Sequence, residues 1–277
     1  MKIAAAQISC VLGDFDANLC KVREFAALAK KSGAELVVFP EMVDTGYSMP
    51  MIRKHARTWK EGAASELTKT AVENSIAIVA GISEREGGSI FNTQVLVNAK
   101  YEELAKYRKT HLVTAAPLDE RVCLSPGNKF VACKIGPPCQ KSGVRPIAVG
   151  LSICYDLRFP EMARTLVVKH GANVVVNSSA WPVVRAEHLR ILALARAVEN
   201  QSYFIVANRV GTDDGVTFCG SSLIVDPSGT ILAAASPDRE ELIQAEVSEQ
   251  VIADVRNRVT VFAHRRPELY NVSQNDR

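Results

Sequence analysis

Three side chains with acid–base or nucleophilic chemistry stand where apolar runs end: Glu41 after ELVVFP, Lys109 within YRKTHL, and Cys154 after PIAVGLSI. An ionised group at the end of a buried strand costs free energy unless its charge is paired. Together the three supply a base, a cation and a thiol, the set needed for acyl transfer through a thioester. Cys154 lies in GLSICYDLRFPE, where the run from Ile147 to Ile153 passes at once into a polar turn. Pro160 and Glu161 then open a helix with Met162, Leu166 and Val167 on one face. A cysteine at such a strand end lies near backbone N–H groups whose partial positive charge favours thiolate over thiol. Taken one at a time, the three also have plainer readings. Cys154 reads as a small buried hydrophobe, Glu41 as a cap on the next turn, and Lys109 as one cation of a surface run with Lys106 and Arg108.

The elements that must position these residues follow from periodicity and turn chemistry. Lys2 to Ser9 reads as a strand, Asp14 to Lys31 as a helix stopped by Gly33, and Glu35 to Phe39 as a buried strand. A helix is expected over Glu66 to Asn74, then a strand from Ile76 to Gly81. Two antiparallel strands follow, Asn92 to Ala99 and Glu103 to Lys109, turning near Asn98-Ala99-Lys100. The Pro/Gly-rich stretch Gly136 to Pro146 reads as surface loop before the Cys154 strand. Asn173 to Asn177 is another buried strand, and a Leu/Ala-rich helix over Arg185 to Asn200 leads into the strand Tyr203 to Ala207. Short strands over Val216 to Asp226, Thr230 to Ala235 and Leu242 to Glu246 follow, with Asp226-Pro227-Ser228-Gly229 as a hairpin turn, and a helix from Ser248 precedes a polar tail. The alternation predicts one α/β domain over 1–277, with the tail from about 264 and no internal boundary.

Composition narrows the function classes. A chain of 277 residues buries a substantial core, and a net charge of +3 is too small to suggest nucleic acid or an anionic membrane as partner. No run of 18 apolar residues occurs, and MKIAAAQIS is too short and strand-like for a signal peptide. Seven cysteines, odd in number and scattered, predict reduced thiols and a cytoplasmic setting. Cys133 and Cys139 have no histidine pattern beside them and do not read as a metal site.

VVFPEMVDTGY, YRKTHL and ICYDLRFPE, in this order and spacing, resemble the three signature segments of the nitrilase superfamily of carbon–nitrogen hydrolases, supported by GTILAAA and RRPELY. The resemblance implies a four-layer α-β-β-α sandwich and a catalytic triad of Glu41, Lys109 and Cys154. It also implies an assisting glutamate seven residues before the glycine of LSPG, which is Glu120 before Gly127. No metal or organic cofactor is expected, and GxGxxG, P-loop and HExxH patterns are absent. In that chemistry Glu41 takes the Cys154 proton, and Lys109 with the Tyr155 backbone N–H holds the oxyanion, one such donor being worth about 3–4 kcal/mol. Glu120 would position the substrate nitrogen or Lys109. Its alternative is a solvated loop carboxylate.

CYDLRFPE, SAWP, ARAVENQSYF and NRVG are similar to the ω-amidase-like branch, whose substrates are ω-amides carrying a carboxylate, such as 2-oxoglutaramate. Arg158 is the candidate for gripping that anion, against the alternative of an internal ion pair. Tyr47 and Trp181 either line the pocket or pack the core. His111, two residues beyond Lys109, shares a strand face with it and orients the site. An N-carbamoyl amidohydrolase is the rival activity, and a non-catalytic interaction protein keeping the fold is a further alternative. A true nitrilase is disfavoured, because the CWE form is missing. The loop Cys133 to Pro146 and Ser152 depart from the family pattern. The wide apolar arc of Leu189, Ile191, Leu192, Leu194 and Val198, with the family's habit of pairing through helices near the nucleophile, predicts a homodimer or larger homo-oligomer.

Overall fold

Alternate residues of the first strands face two different cores, which makes the architecture layered. The computed structural model describes residues 1–99, 103–115, 118–135 and 146–270. One sheet contains β1 (Lys2–Gln7), β2 (Leu36–Val38), β3 (Ala77–Glu86), β4 (Ser89–Val97), β5 (Glu103–Arg108) and β12 (Glu241–Glu246), ordered β12-β1-β2-β3-β4-β5. A two-residue strand, Arg57–Thr58, pairs β3 outside that path. The second sheet contains β6 (Ala132–Ile135), β7 (Ile147–Ile153), β8 (Val174–Ser179), β9 (Tyr203–Asn208), β10 (Leu223–Val225) and β11 (Ile231–Ala234), ordered β11-β10-β9-β8-β7-β6. In each sheet three central strands are parallel, β1-β2-β3 and β7-β8-β9, and antiparallel strands flank them. Strands buried on both faces are continuous apolar runs, as LVV and IAVGLSI are.

Ile3, Ala5, Leu36, Val38 and Val79 point from the first sheet toward Val149, Val176 and Ile205 of the second. Their neighbours Ala4, Ala6, Val37, Ile78 and Ala80 point the other way, against Leu19, Val22 and Ala26 of α1 (Phe15–Lys31). A short helix, α2 (Met49–His55), precedes α3 (Ala63–Glu73), whose Leu67 and Ala71 join that same outer layer. On the second sheet the cover is α4 (Pro160–Val168) and α5 (Ala186–Asn200), through Met162, Leu166, Leu189 and Ala193. The order helix, sheet, sheet, helix is the expected four-layer sandwich. A third apolar cluster, including Met42, Tyr47, Ile52, Leu124 and Phe218, closes one end of the sheets.

Local signals place most element ends. Asp14 caps α1 by accepting from the Ala17 N–H at 3.0 Å, and Ser248 caps α6 (Glu249–Arg258). Several expectations need correction. α3 starts at Ala63 rather than Glu66. β3 runs on to Glu86 and turns tightly into β4 at Ser89. The single strand expected over Val216 to Asp226 is two short ones, Val216–Thr217 and Leu223–Val225, because Gly220 and Ser221 take positive φ between them. α2 and β6 carry no pattern that periodicity detects. The stretch 136–145, most of the expected loop, and the tail beyond 270 lie outside the described residues.

Two glycines fix the backbone beside the first two chemical residues. A Cβ on Gly81 would stand 2.7 Å from the Glu41 Cα and 3.1 Å from the Pro40 carbonyl. A Cβ on Gly127 would stand 2.2 Å from the Arg108 carbonyl oxygen, next to Lys109. Both obstacles are backbone and cannot rotate away. Gly81→Ala is therefore expected to cost about 1–3 kcal/mol, as overpacking does, and Gly127→Ala at least as much. Gly88→Ala, with open space around its Cβ position, is the near-neutral control. Thermal unfolding of the three variants checks this, and equal melting temperatures would show that the backbone yields.

Candidate active site

Glu41, Lys109 and Cys154 come from three strand ends and converge where the two sheets meet. Glu41 follows β2 by three residues, and its loop is pinned to β3 by the bonds Phe39 N–H to Val79 O (2.7 Å) and Gly81 N–H to Pro40 O (2.9 Å). Lys109 is the first residue past β5. Its N–H donates to the Asn92 carbonyl and its carbonyl accepts from the Gly127 N–H, both at 2.8 Å. Cys154 is the first residue past β7 and has φ of 42°, a left-handed conformation that a side chain adopts only when its surroundings enforce it.

The Asp156 carboxylate ties down the turn in which it occurs. One oxygen accepts from the Ile153 N–H at 2.9 Å and from the Tyr107 hydroxyl at 2.7 Å, while the other lies 2.7 Å from His111 Nδ1. The turn that presents Cys154 is thus tied to the residues flanking Lys109. His111 spends its ring on Asp156 and stacks on Phe159, with centroids 3.8 Å apart. It is absent from the lining of the Cys154 cavity. The strand-face reasoning fails because β5 ends at Arg108, so alternation no longer relates Lys109 to His111.

Glu41, Lys109 and Glu120 are completely buried. Lys109 Nζ donates to Glu41 Oε1 at 2.9 Å and to Glu120 Oε1 at 2.8 Å. Each carboxylate anchors its other oxygen on a backbone N–H, Glu41 on Ala180 at 2.9 Å and Glu120 on Val113 at 2.7 Å. Tyr47 donates its hydroxyl to Glu120 Oε1 at 2.9 Å, and Asn92 donates to Glu41 Oε1 at 2.6 Å. Glu120 is therefore no solvated loop residue.

Electrostatics follow from burial and these contacts. Burial pushes the Glu41 carboxyl above its ordinary range, against the pull of the Lys109 ammonium, and the Glu120 charge adds to the rise. Burial favours neutral Lys109, but Glu120 and Glu41 outweigh it and hold the ammonium firmly charged. Burial and the Glu41 charge lift the Cys154 thiol well above its ordinary range, while Lys109 and the Ala180 N–H oppose them. The local positive field expected at this strand end is outweighed by burial and the Glu41 charge.

A cavity of about 20 Å³, room for about one water molecule, opens on Cys154 and is lined by Tyr47, Tyr155, Arg158, Trp181 and Arg185 among others. The Arg158 guanidinium sits over the Trp181 ring at 4.8 Å and over Tyr155 at 5.7 Å. None of the ion pairs among the described residues involves Arg158, so the internal ion pair weighed from sequence is not formed there. Ser152, two residues before Cys154, donates to Val176 O and accepts from Asn177, both at 3.0 Å. Among the described residues no cluster of His, Cys, Asp or Glu is placed to hold a metal ion. Sequence reading missed Asn92, Asp156, Arg185 and the Ala180 N–H. Only Asn92 carried a usable signal, a polar residue inside an otherwise buried strand.

Residues 2–257 match the family described as carbon-nitrogen hydrolase. The 2-oxoglutaramate amidase of Bacillus subtilis (strain 168) is 34% identical over 269 residues, covering 97% of this chain and 98% of that protein. The crystal structure of Saccharomyces cerevisiae Nit3, a member of branch 10 of the nitrilase superfamily, superposes with a TM-score of 0.83 at 31% identity, covering 96% of each chain. A mutant of the amidase from Nesterenkonia sp. AN1 in complex with butyramide superposes at 0.79 with 27% identity, over 94% of this chain and 95% of that one.

The charge balance at Cys154 predicts its reactivity. Alkylation by iodoacetamide, followed on the Cys154 peptide by mass spectrometry, should rise with pH through a midpoint above the usual thiol range. Removing the negative charge in Glu41→Gln should move that midpoint down, and removing the positive charge in Lys109→Met should move it up. A midpoint that neither substitution moves would disconnect the thiol from the cluster.

Proposed function

The chain belongs to the carbon–nitrogen hydrolase family of the nitrilase superfamily, and from that premise we propose that it hydrolyses a small carboxylated aliphatic amide to acid and ammonia through a Cys154 thioester. The observation carrying this is the convergence of the Cys154 thiol, the Glu41 carboxylate and the Lys109 ammonium at one buried point beside a small cavity. As the sulfur attacks the amide carbonyl carbon, Glu41 takes the thiol proton. Lys109, with the Tyr155 backbone N–H, stabilises the resulting oxyanion. Collapse of that intermediate breaks the carbon–nitrogen bond, and the proton held by Glu41 leaves with the nitrogen as ammonia. A water molecule, deprotonated by Glu41, then attacks the thioester carbon. The acid departs and the proton returns to the cysteine sulfur. Glu120, fastened by Tyr47 and the Val113 N–H, holds Lys109 in place.

The ω-amide reading is supported by Arg158 facing the cavity with no carboxylate partner among the described residues, and by the activity named for the Bacillus subtilis relative. The rival is an N-carbamoyl amidohydrolase. We take 1–277 as one catalytic domain with its tail from about 264. Six described cysteines, all free, support a reducing cytoplasmic setting. Among the described residues no helix is long and apolar enough to cross a membrane. Val184, Ile191 and Val198 leave an apolar stripe exposed on and before α5, which supports a second copy packing there.

Cys154→Ala is expected to abolish ammonia release from succinamate while remaining folded, with Cys154→Ser nearly as impaired. Wild type should show a larger kcat/KM for succinamate than for N-carbamoyl-β-alanine. Turnover by the alanine variant would remove the nucleophile, and the reverse preference would favour the rival. Light scattering should give at least a dimer mass at micromolar concentration, and a monomer mass would contradict the paired helix.

A further inference from the structure

We propose that Arg158 and Arg185 form a two-guanidinium subsite for the substrate's distal carboxylate, and that Arg185 is a specificity-determining residue selecting anionic amides over neutral ones. The proposal rests on the amidase reading above and extends it to the far end of the substrate.

Both arginines line the cavity that holds Cys154, yet they arrive from different elements. Arg158 ends the turn that begins at Cys154, and Arg185 ends the single turn Val183–Arg185 at the N-cap of α5. One indole organises both. The Arg158 guanidinium lies 4.8 Å from the Trp181 ring centroid, and Trp181 Nε1 donates to the Arg185 carbonyl at 2.7 Å. Trp181 is 2% exposed, so this plate is fixed by the core. His188 Nδ1 lies 3.4 Å from Arg158 Nη2 and occupies one edge of the fork, leaving the remaining donors for a ligand.

Neither arginine takes part in an ion pair among the described residues. Arg196 and Arg209, the buried arginines among the described residues, are each matched by a carboxylate, Glu199 and Asp213. Burial and the Arg185 charge both push Arg158 below the usual guanidinium range, as expected for two like charges held together without a counter-ion. The positive end of α5 starts at the same residue and adds to the field. An incoming carboxylate relieves this repulsion. Its two oxygens offer about four lone-pair sites, enough to accept from both guanidinium groups. A neutral amide leaves the repulsion in place. The clamp reads the carboxylate end alone, so it serves an ω-amide or a ureido acid equally.

The test compares succinamate with butyramide, which has a methyl group where succinamate has its carboxylate. In Arg185→Met and Arg158→Met the ratio of kcat/KM for succinamate over butyramide should fall about tenfold to a hundredfold, the range of a lost charge-assisted hydrogen bond. The loss should appear mainly in KM, with partial recovery in Arg185→Lys. An unchanged ratio in Arg185→Met would overturn the proposal and assign Arg185 to the scaffold. A measurement free of turnover is the rise in melting temperature that succinate causes. It should be present in wild type and Cys154→Ala and absent in Arg185→Met, and an equal rise in all three would also overturn the clamp. If wild type releases ammonia from neither amide, the amidase reading fails, while the succinate shift still decides the subsite.

Discussion

The buried ion cluster of Lys109 between Glu41 and Glu120 is the constraint on which the rest of the structure depends. Three ionisable groups with no exposed surface face a desolvation cost that Coulomb attraction repays only with good geometry and satisfied remaining lone pairs. Both conditions are met. The two carboxylate–ammonium contacts are 2.9 and 2.8 Å, and each carboxylate takes a backbone N–H on its second oxygen. Those N–H groups belong to different parts of the fold, Ala180 just past β8 in the second sheet and Val113 in the segment after Lys109. The cluster is satisfied only when the two sheets are stacked in one register.

The division of labour between the sheets follows. The first sheet presents Glu41, Lys109 and Asn92, and the second presents Cys154 and the Ala180 N–H. Cross-sheet bonds fix their spacing. Ser178 donates to the Phe39 carbonyl at 2.7 Å and accepts from Gln94 at 2.8 Å, and Asp156 reaches Tyr107 and His111 on either side of Lys109. Small residues make the approach possible, since any side chain on Gly81 or Gly127 would meet backbone at Glu41 or Arg108. Cys154 and the charge cluster are thus positioned by polar struts inside an apolar sandwich. The non-directional core supplies cohesion and the struts supply register.

Much of this was legible in the sequence, and the limits have physical causes. Apolar runs reveal buried strands, so the abrupt arrival of Glu41, Lys109 and Cys154 at strand ends is visible without a structure. The motifs then gave the sandwich and drew attention to Glu120. Periodicity reports which faces are buried but not which strand ends meet. Nothing in the run FNTQVLV says that Asn92 donates to Glu41, and nothing in WPVVR says that Arg185 turns toward Cys154. His111 lies three residues past the end of its strand, where alternation no longer sets which face a side chain takes. The Val216 to Asp226 stretch was over-extended because Gly220 and Ser221 hide a positive-φ corner inside a β-prone sequence. α2 was missed because a seven-residue helix with Pro50 in its first turn has no full amphipathic period.

Two carboxylates on one lysine make sense once charge is followed through the proposed reaction. In that reaction the thiol starts neutral, with the Lys109 ammonium between the Glu41 and Glu120 carboxylates. When Cys154 attacks, its proton passes to Glu41 and negative charge appears on the substrate oxygen. The net charge of the pocket is the same before and after, so the low-dielectric interior faces a relocation of charge and not its creation. Once Glu41 carries the proton its pull on the ammonium falls away, and a buried lysine short of negative charge tends to lose its proton. Glu120 prevents this. Its carboxylate keeps the 2.8 Å contact, held by Tyr47 and the Val113 N–H, while the other side of the ammonium changes partner from Glu41 to the oxyanion. The raised thiol fits the same logic. A thiolate at rest would put a third negative charge beside one cation, whereas a neutral thiol lets the proton and the charge move in a single step toward groups already arranged to receive them.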